Sequence, residues 1–151
     1  MKDKFKYYLI DKNDTIKRVL QVFQLTSDNS LPTGIAVVVD KNNCVEGVIS
    51  EGDIRRAIIN GKMIDDEISD IYKKNPICLN HKLSFNEILN LIPQELSKRN
   101  RKSEKFLSNI ILTDHNNKFR KVIGYNELWE QKVATHRHVV VLGLGHVGLT
   151  L

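Results

Sequence analysis

Gly47-Val48-Ile49-Ser50-Glu51-Gly52-Asp53-Ile54-Arg55-Arg56-Ala57-Ile58 reads as a short apolar strand that turns through Ser50 into an amphipathic helix. Ile54, Ala57 and Ile58 fall at i, i+3 and i+4, which places their side chains on one helical face, and Gly61 supplies a stop. Ser50 as N-cap and Asp53 three residues on make a capping box, in which each side chain satisfies a free backbone N–H of the first turn. The same geometry suits a ligand. A helix N-terminus offers N–H groups and partial positive charge, Asp53 can accept from sugar hydroxyls, and Arg55 or Arg56 can pair with phosphate.

Working outward, 151 residues with 41% apolar content can bury a core, and a single compact domain is the expectation. The net charge of +5 gathers in Lys98, Arg99, Arg101, Lys102 and Lys105. A nucleic-acid surface calls for aromatics interleaved with such a run, and none lies between Pro93 and Lys105, so the run reads as a solvated loop. Cys44 and Cys78 stand apart without metal-ligand spacing, and His136 and His138 around Arg137 read as linker residues, so no metal site and no disulfide is expected. Two isolated cysteines and the lack of an N-terminal apolar segment point to a reduced, cytoplasmic protein without a membrane span.

Upstream, Tyr7 to Ile10 reads as a strand, Asp14 as the cap of a helix with Ile16, Val19, Leu20 and Phe23 on its apolar face, and Ser27 to Gly34 as a loop. Ile35-Ala36-Val37-Val38-Val39 is a buried strand, Asp40 to Asn43 a hairpin turn, and Val45 to Ile49 the returning strand, giving the order β-α-β-β-α. That order recurs. Ile77 to Leu79 reads as a strand, and the helical set Ile16, Val19, Leu20 and Phe23 returns 69 positions on as Phe85, Ile88, Leu89 and Ile92, capped by Ser84. The set Ala36 to Val38, Asp40, the Asn-Asn turn and Val48-Ile49 returns 74 positions on as Ile110 to Leu112, Asp114, Asn116-Asn117 and Val122-Ile123. The extra five residues fall in the basic stretch 93–106. A matched series of caps, faces and turns marks an internal duplication, with each half burying one sheet face.

Two such units, the first carrying Gly-Val-Ile-Ser-Glu-Gly-Asp-Ile-Arg-Arg-Ala, resemble a tandem pair of CBS domains, the Bateman module, over roughly residues 7–133. The resemblance implies an α+β fold of two β-α-β-β-α repeats packed as one pseudo-two-fold globule, with repeat 1 in residues 1–70 and repeat 2 in 71–133. It also implies a regulatory sensor of an adenine nucleotide such as AMP, ADP or ATP. Ser50 and Asp53 would hold ribose and phosphate, Ile35 and Ala36 would form the adenine wall, and Arg55 or Arg56 would take phosphate. Face-to-face pairing into a homodimer through the helices at 51–60 and 126–133 is implied as well. In the second repeat Gly124 and Glu127 stand where Ser50 and Asp53 stand in the first, so one site per chain is expected; Asn126 can cap the last helix, with Leu128 and Trp129 filling core.

Residues 134–151 shift in composition and end in a Val-rich strand leading to Gly143-x-Gly145-x-x-Gly148, the opening of a dinucleotide-binding fold. Its wording resembles the start of the UDP-glucose/GDP-mannose dehydrogenase family, which implies an NAD-dependent nucleotide-sugar dehydrogenase as the longer protein. The residues here contain no nucleophile-base set, so the expectation is a non-enzymatic regulatory module. The alternatives are a dimerisation or interaction module in which Ser50 and Asp53 are caps only, and part of an oxidoreductase acting only in the full-length chain.

Overall fold

The computed structural model describes residues 3–99 and 108–132. A 3-10 helix at Lys4–Tyr8 leads to β1 (Leu9–Ile10), α1 (Ile16–Asp28), β2 (Ile35–Val39), β3 (Val45–Ser50), α2 (Glu51–Ile59) and β4 (Lys73–Lys74). The second run is β5 (Cys78–Asn80), α3 (Phe85–Lys98), β6 (Asn109–Thr113) and β7 (Phe119–Gly124), followed by a helical stretch over 125–132. The class is α+β, with one sheet ordered β1-β2-β3-β4 and another β5-β6-β7. Each opens with a parallel pair, β1 with β2 and β5 with β6, as expected when a helix carries the chain from the first strand to the second.

The chain divides into two compact units, Met1–Lys82 with Asn109–Val122, and Leu83–Ser108 with Ile123–Leu151. In the first unit β2 is buried along its whole length, so its alternating side chains serve two cores. Ala36 and Val38 pack with Ile49, Ile54, Ala57 and the α1 residues Ile16, Val19, Val22 and Phe23. Ile35, Val37 and Val39 pack with Tyr8, Val45, Ile111 and Val122. The fully buried Tyr8 donates its hydroxyl to the Pro32 carbonyl, which lets a phenol sit inside the second of these cores at no cost in unpaired polar groups.

The two hairpin turns are built alike. Asp40 Oδ1 accepts from the N–H groups of Asn42 and Cys44, and Asp114 Oδ1 from those of Asn116 and Lys118. Asn43 and Asn117 both take φ of 62°, a left-handed conformation that Asn tolerates. The turns also exchange bonds reciprocally: Val45 N donates to Asn117 O and Phe119 N to Asn43 O, each at 3.0 Å, around a Cys44–Lys118 bridge. Every partner in this set is related to its counterpart by 74 positions, so the internal duplication is a local two-fold relation in space.

Several details depart from the sequence reading. Thr15, not Asp14, caps α1; Asp14 instead closes the preceding turn by accepting from Asp11 N. Only Leu9 and Ile10 are extended in the stretch 7–10, and residues 93–98 continue α3 through Pro93 instead of forming loop. On α1 the buried set is Ile16, Val19, Val22, Phe23 and Thr26, while Leu20 is exposed. Thr26 is tolerated inside because its hydroxyl bonds the Val22 carbonyl at 2.9 Å.

In the second unit Ile88, Ile92, Leu96, Ile123 and Leu128 are buried. Ser84 caps α3 in a full capping box with Glu87. Helix begins directly after Gly124, so Asn126 lies within it and does not cap it. Trp129 is 41% exposed, edge-on to Tyr125 and covered by the Lys132 ammonium 5.0 Å from the ring, so it does not fill core.

Candidate functional site

The turn from β3 into α2 carries the site. Strand geometry brings Ser50 beside Ile35 and Ile49 beside Ala36 in the antiparallel ladder. Ser50 then leaves the strand with extended φ and ψ and becomes the N-cap of α2. Its Oγ accepts from Asp53 N at 3.3 Å and donates to Asp53 Oδ2 at 2.9 Å, and its backbone N–H donates to the same oxygen at 2.9 Å.

A capping box alone is not a binding site, and the comparison with α3 makes the point: Ser84 and Glu87 form the same box on an exposed surface. What differs at α2 is burial and charge. Asp53 is only 7% exposed, and its second oxygen, Oδ1, faces two cations. Arg56 Nη2 lies 2.7 Å from it and Lys73 Nζ 3.3 Å, with the two side chains themselves 58% and 53% exposed. Burial pushes the Asp53 carboxyl up, but the Ser50 N–H and hydroxyl, Lys73 and Arg56 together outweigh it and hold the group below its ordinary value. A buried anion is thus presented to solvent through a pair of half-exposed cations.

Lys73 is the residue beside Asp53 that sequence reasoning missed. It arrives on β4, which pairs with β3 through Gly47–Lys74 and Val48–Lys73. The approach is so close that a Cβ on Gly47 would stand 2.5 Å from the Lys73 carbonyl oxygen and 2.5 Å from the Tyr72 ring. Gly47, read as the start of an apolar strand, is therefore the residue that lets the cation reach the carboxylate. A glycine inside a strand was the available signal.

The other expected residues fall in different places. Arg56 stands against Asp53, whereas Arg55 lines a groove between α1 and α2. That groove has a volume of 660 Å³ and is walled by Leu20, Phe23, Thr33, Glu51, Ile54, Ile58 and Ile59, and neither Ser50 nor Asp53 contributes to it. Ile35 is buried beside Ser50. Ala36 has no exposed surface and packs against the α1 and α2 side chains. Gly124 and Glu127 occupy the corresponding positions at the start of the helical stretch 125–132, with no hydroxyl at the cap. Gly143, Gly145 and Gly148 lie outside the described residues. Among the described residues no group of His, Cys, Asp and Glu is placed to hold a metal ion, and no helix is long and apolar enough to cross a membrane.

The segment that contains this turn has a family counterpart. Residues 4–60 match the CBS domain family. Solved structures extend the likeness over both repeats. Staphylococcus aureus OpuCA is 16% identical, with 84% of this chain and 92% of that chain covered and a TM-score of 0.58. A CBS domain protein from Pyrobaculum aerophilum, complexed with AMP, is 18% identical over 78% of this chain and 79% of that chain, with a TM-score of 0.57. The CBS domain pair of protein MJ0100, in complex with 5-methylthioadenosine and S-adenosyl-L-methionine, is 14% identical over 84% and 88%, with a TM-score of 0.59. The fold is that of a CBS domain pair. No curated protein matches the sequence significantly.

Proposed function

We propose that the chain is a regulatory module that binds one adenine nucleotide at the β3–α2 turn, with no catalytic role of its own. The observation that carries this reading is the buried Asp53, held by Ser50 and met by Arg56 and Lys73 from two different segments. Asp53 and the Ser50 hydroxyl are the groups that pair with ribose hydroxyls, and the two cations pair with phosphate. Structures of this fold complexed with AMP and with S-adenosyl-L-methionine support an adenosine-type ligand. The second repeat, with Gly124 and Glu127, supplies no equivalent pair, so binding is one per chain.

The test is a thermal-shift screen of AMP, ADP, ATP, NAD and S-adenosylmethionine against the chain and its Asp53→Ala variant. A ligand at about a hundred times its dissociation constant adds roughly 2.7 kcal/mol of stability, an upward melting shift that Asp53→Ala removes. A shift that survives Asp53→Ala moves the site elsewhere and refutes this reading.

We propose further that copies pair through the α2 face. Ile59 is 75% exposed and Ile58 and Leu20 stand beside the apolar groove, an arrangement that two-fold pairing buries. The dehydrogenase parentage is a third proposal and rests on the wording of residues 139–148 alone; NAD binding through Gly143, Gly145 and Gly148 belongs to that longer protein and not to this module.

A further inference from the structure

The fold does not decide which adenosine compound binds: one structure of this fold holds AMP, another holds 5-methylthioadenosine and S-adenosyl-L-methionine. The first ligand is an anion, the second is uncharged and the third carries a sulfonium cation. The decision falls to the charges of this chain. Resting on the nucleotide reading above, we propose that Lys73 is a specificity-determining residue that selects phosphate-bearing nucleotides against the uncharged nucleoside and the sulfonium.

Asp53 is the buried carboxylate of this turn, and Arg56 and Lys73 both reach its Oδ1, so two cations meet one buried anion there. Arg56 is tied to its own helix by the i, i+3 spacing to Asp53. Lys73 is held independently, by backbone pairing of β4 to Val48, and its ammonium contacts Asp53 at the longer distance of 3.3 Å. It is therefore the more distant of the two cations, with a main chain fixed within reach. A phosphate entering beside Asp53 gains Lys73 without dismantling the capping box, whereas a sulfonium meets the same ammonium as a like charge.

The experiment is calorimetric titration of the chain with AMP, adenosine and S-adenosylmethionine, repeated with Lys73→Ala and Lys73→Gln and at raised salt. The side chain is half exposed and the β4 pairing uses backbone, so both variants fold; unliganded melting curves check this. AMP is expected to bind at least tenfold more tightly than adenosine or S-adenosylmethionine, and either variant to weaken AMP by about tenfold and adenosine by much less, in line with a charge-assisted hydrogen bond to phosphate. The AMP preference also shrinks with salt. Equal affinity for AMP and adenosine, or a Lys73 variant that weakens both alike, overturns the selectivity while leaving the nucleotide site standing. Absence of binding by all three compounds overturns both.

Discussion

Gly47→Ala probes the contact on which the site depends. The added Cβ stands 2.5 Å from the Lys73 carbonyl oxygen and 2.5 Å from Tyr72 Cδ2, far inside van der Waals contact, and the first of these is backbone that cannot rotate away. Either β4 lifts off β3 or β3 distorts, and the Gly47–Lys74 and Val48–Lys73 pairings go with it. Overpacking of this kind costs about 1–3 kcal/mol. The Lys73–Asp53 contact is lost as well, a half-exposed ion pair worth less than about 1 kcal/mol after solvent screening. A total near 2–3 kcal/mol corresponds to a fall in melting temperature of about 5–10 °C for a chain of this size. Gly52→Ala is the control. There the Cβ meets only the Arg56 guanidinium, at 3.2 Å, the far end of a flexible side chain, and the position is helical. That substitution is expected to stabilise by about 0.5–1 kcal/mol. Urea unfolding followed by circular dichroism separates the two. If Gly47→Ala is neutral, or shifts the midpoint in the same direction as Gly52→Ala, the close approach of β4 is not as described and Lys73 has no fixed place beside Asp53.

Acid unfolding reports Asp53. Its folded carboxyl lies below the ordinary value, so its contribution is complete at neutral pH and is lost as pH falls through the folded value; the stability gap between the native chain and Asp53→Asn should be constant above about pH 5 and close below about pH 4, and a gap that widens in acid contradicts the assignment. Ser84→Ala removes an exposed cap and is expected to cost about 1 kcal/mol without altering AMP affinity, whereas Ser50→Ala lowers both, as paired denaturation and titration will show. Ile59→Glu places a charge at the centre of the proposed pairing face; sedimentation should show the native chain as a dimer and this variant as a monomer, and a native monomer at high micromolar concentration removes the pairing proposal.

The elements that the sequence displayed most clearly are those governed by short-range chemistry. Ser50 and Asp53 form the expected capping box, Gly61 follows α2 with φ of 100°, and the Asp-x-Asn-Asn and Asp-x-Asn-Asn turns at 40–43 and 114–117 repeat with the same hydrogen bonds. Where two residues could do one task, the choice was set by tertiary contacts. Asp14 and Thr15 are both good caps, and Asp14 is taken by the turn to Asp11. Leu20 suits the apolar face of α1 as well as Val22 does, but the helix is rotated so that Thr26 enters the core and reaches Thr33 at 3.0 Å, an inward hydroxyl that apolar periodicity does not register. Lys73 was hidden for a different reason. It lies in a two-residue strand with no periodicity, and its significance depends on a contact with Gly47 that only the folded chain reveals.

Isothermal titration calorimetry of AMP against the native chain, Asp53→Ala and Glu127→Ala counts the nucleotide sites on the chain. The asymmetry between Ser50 with Asp53 and Gly124 with Glu127 predicts one AMP per chain, lost in Asp53→Ala and unchanged in Glu127→Ala. Two AMP per chain, or equal loss in both variants, would contradict it.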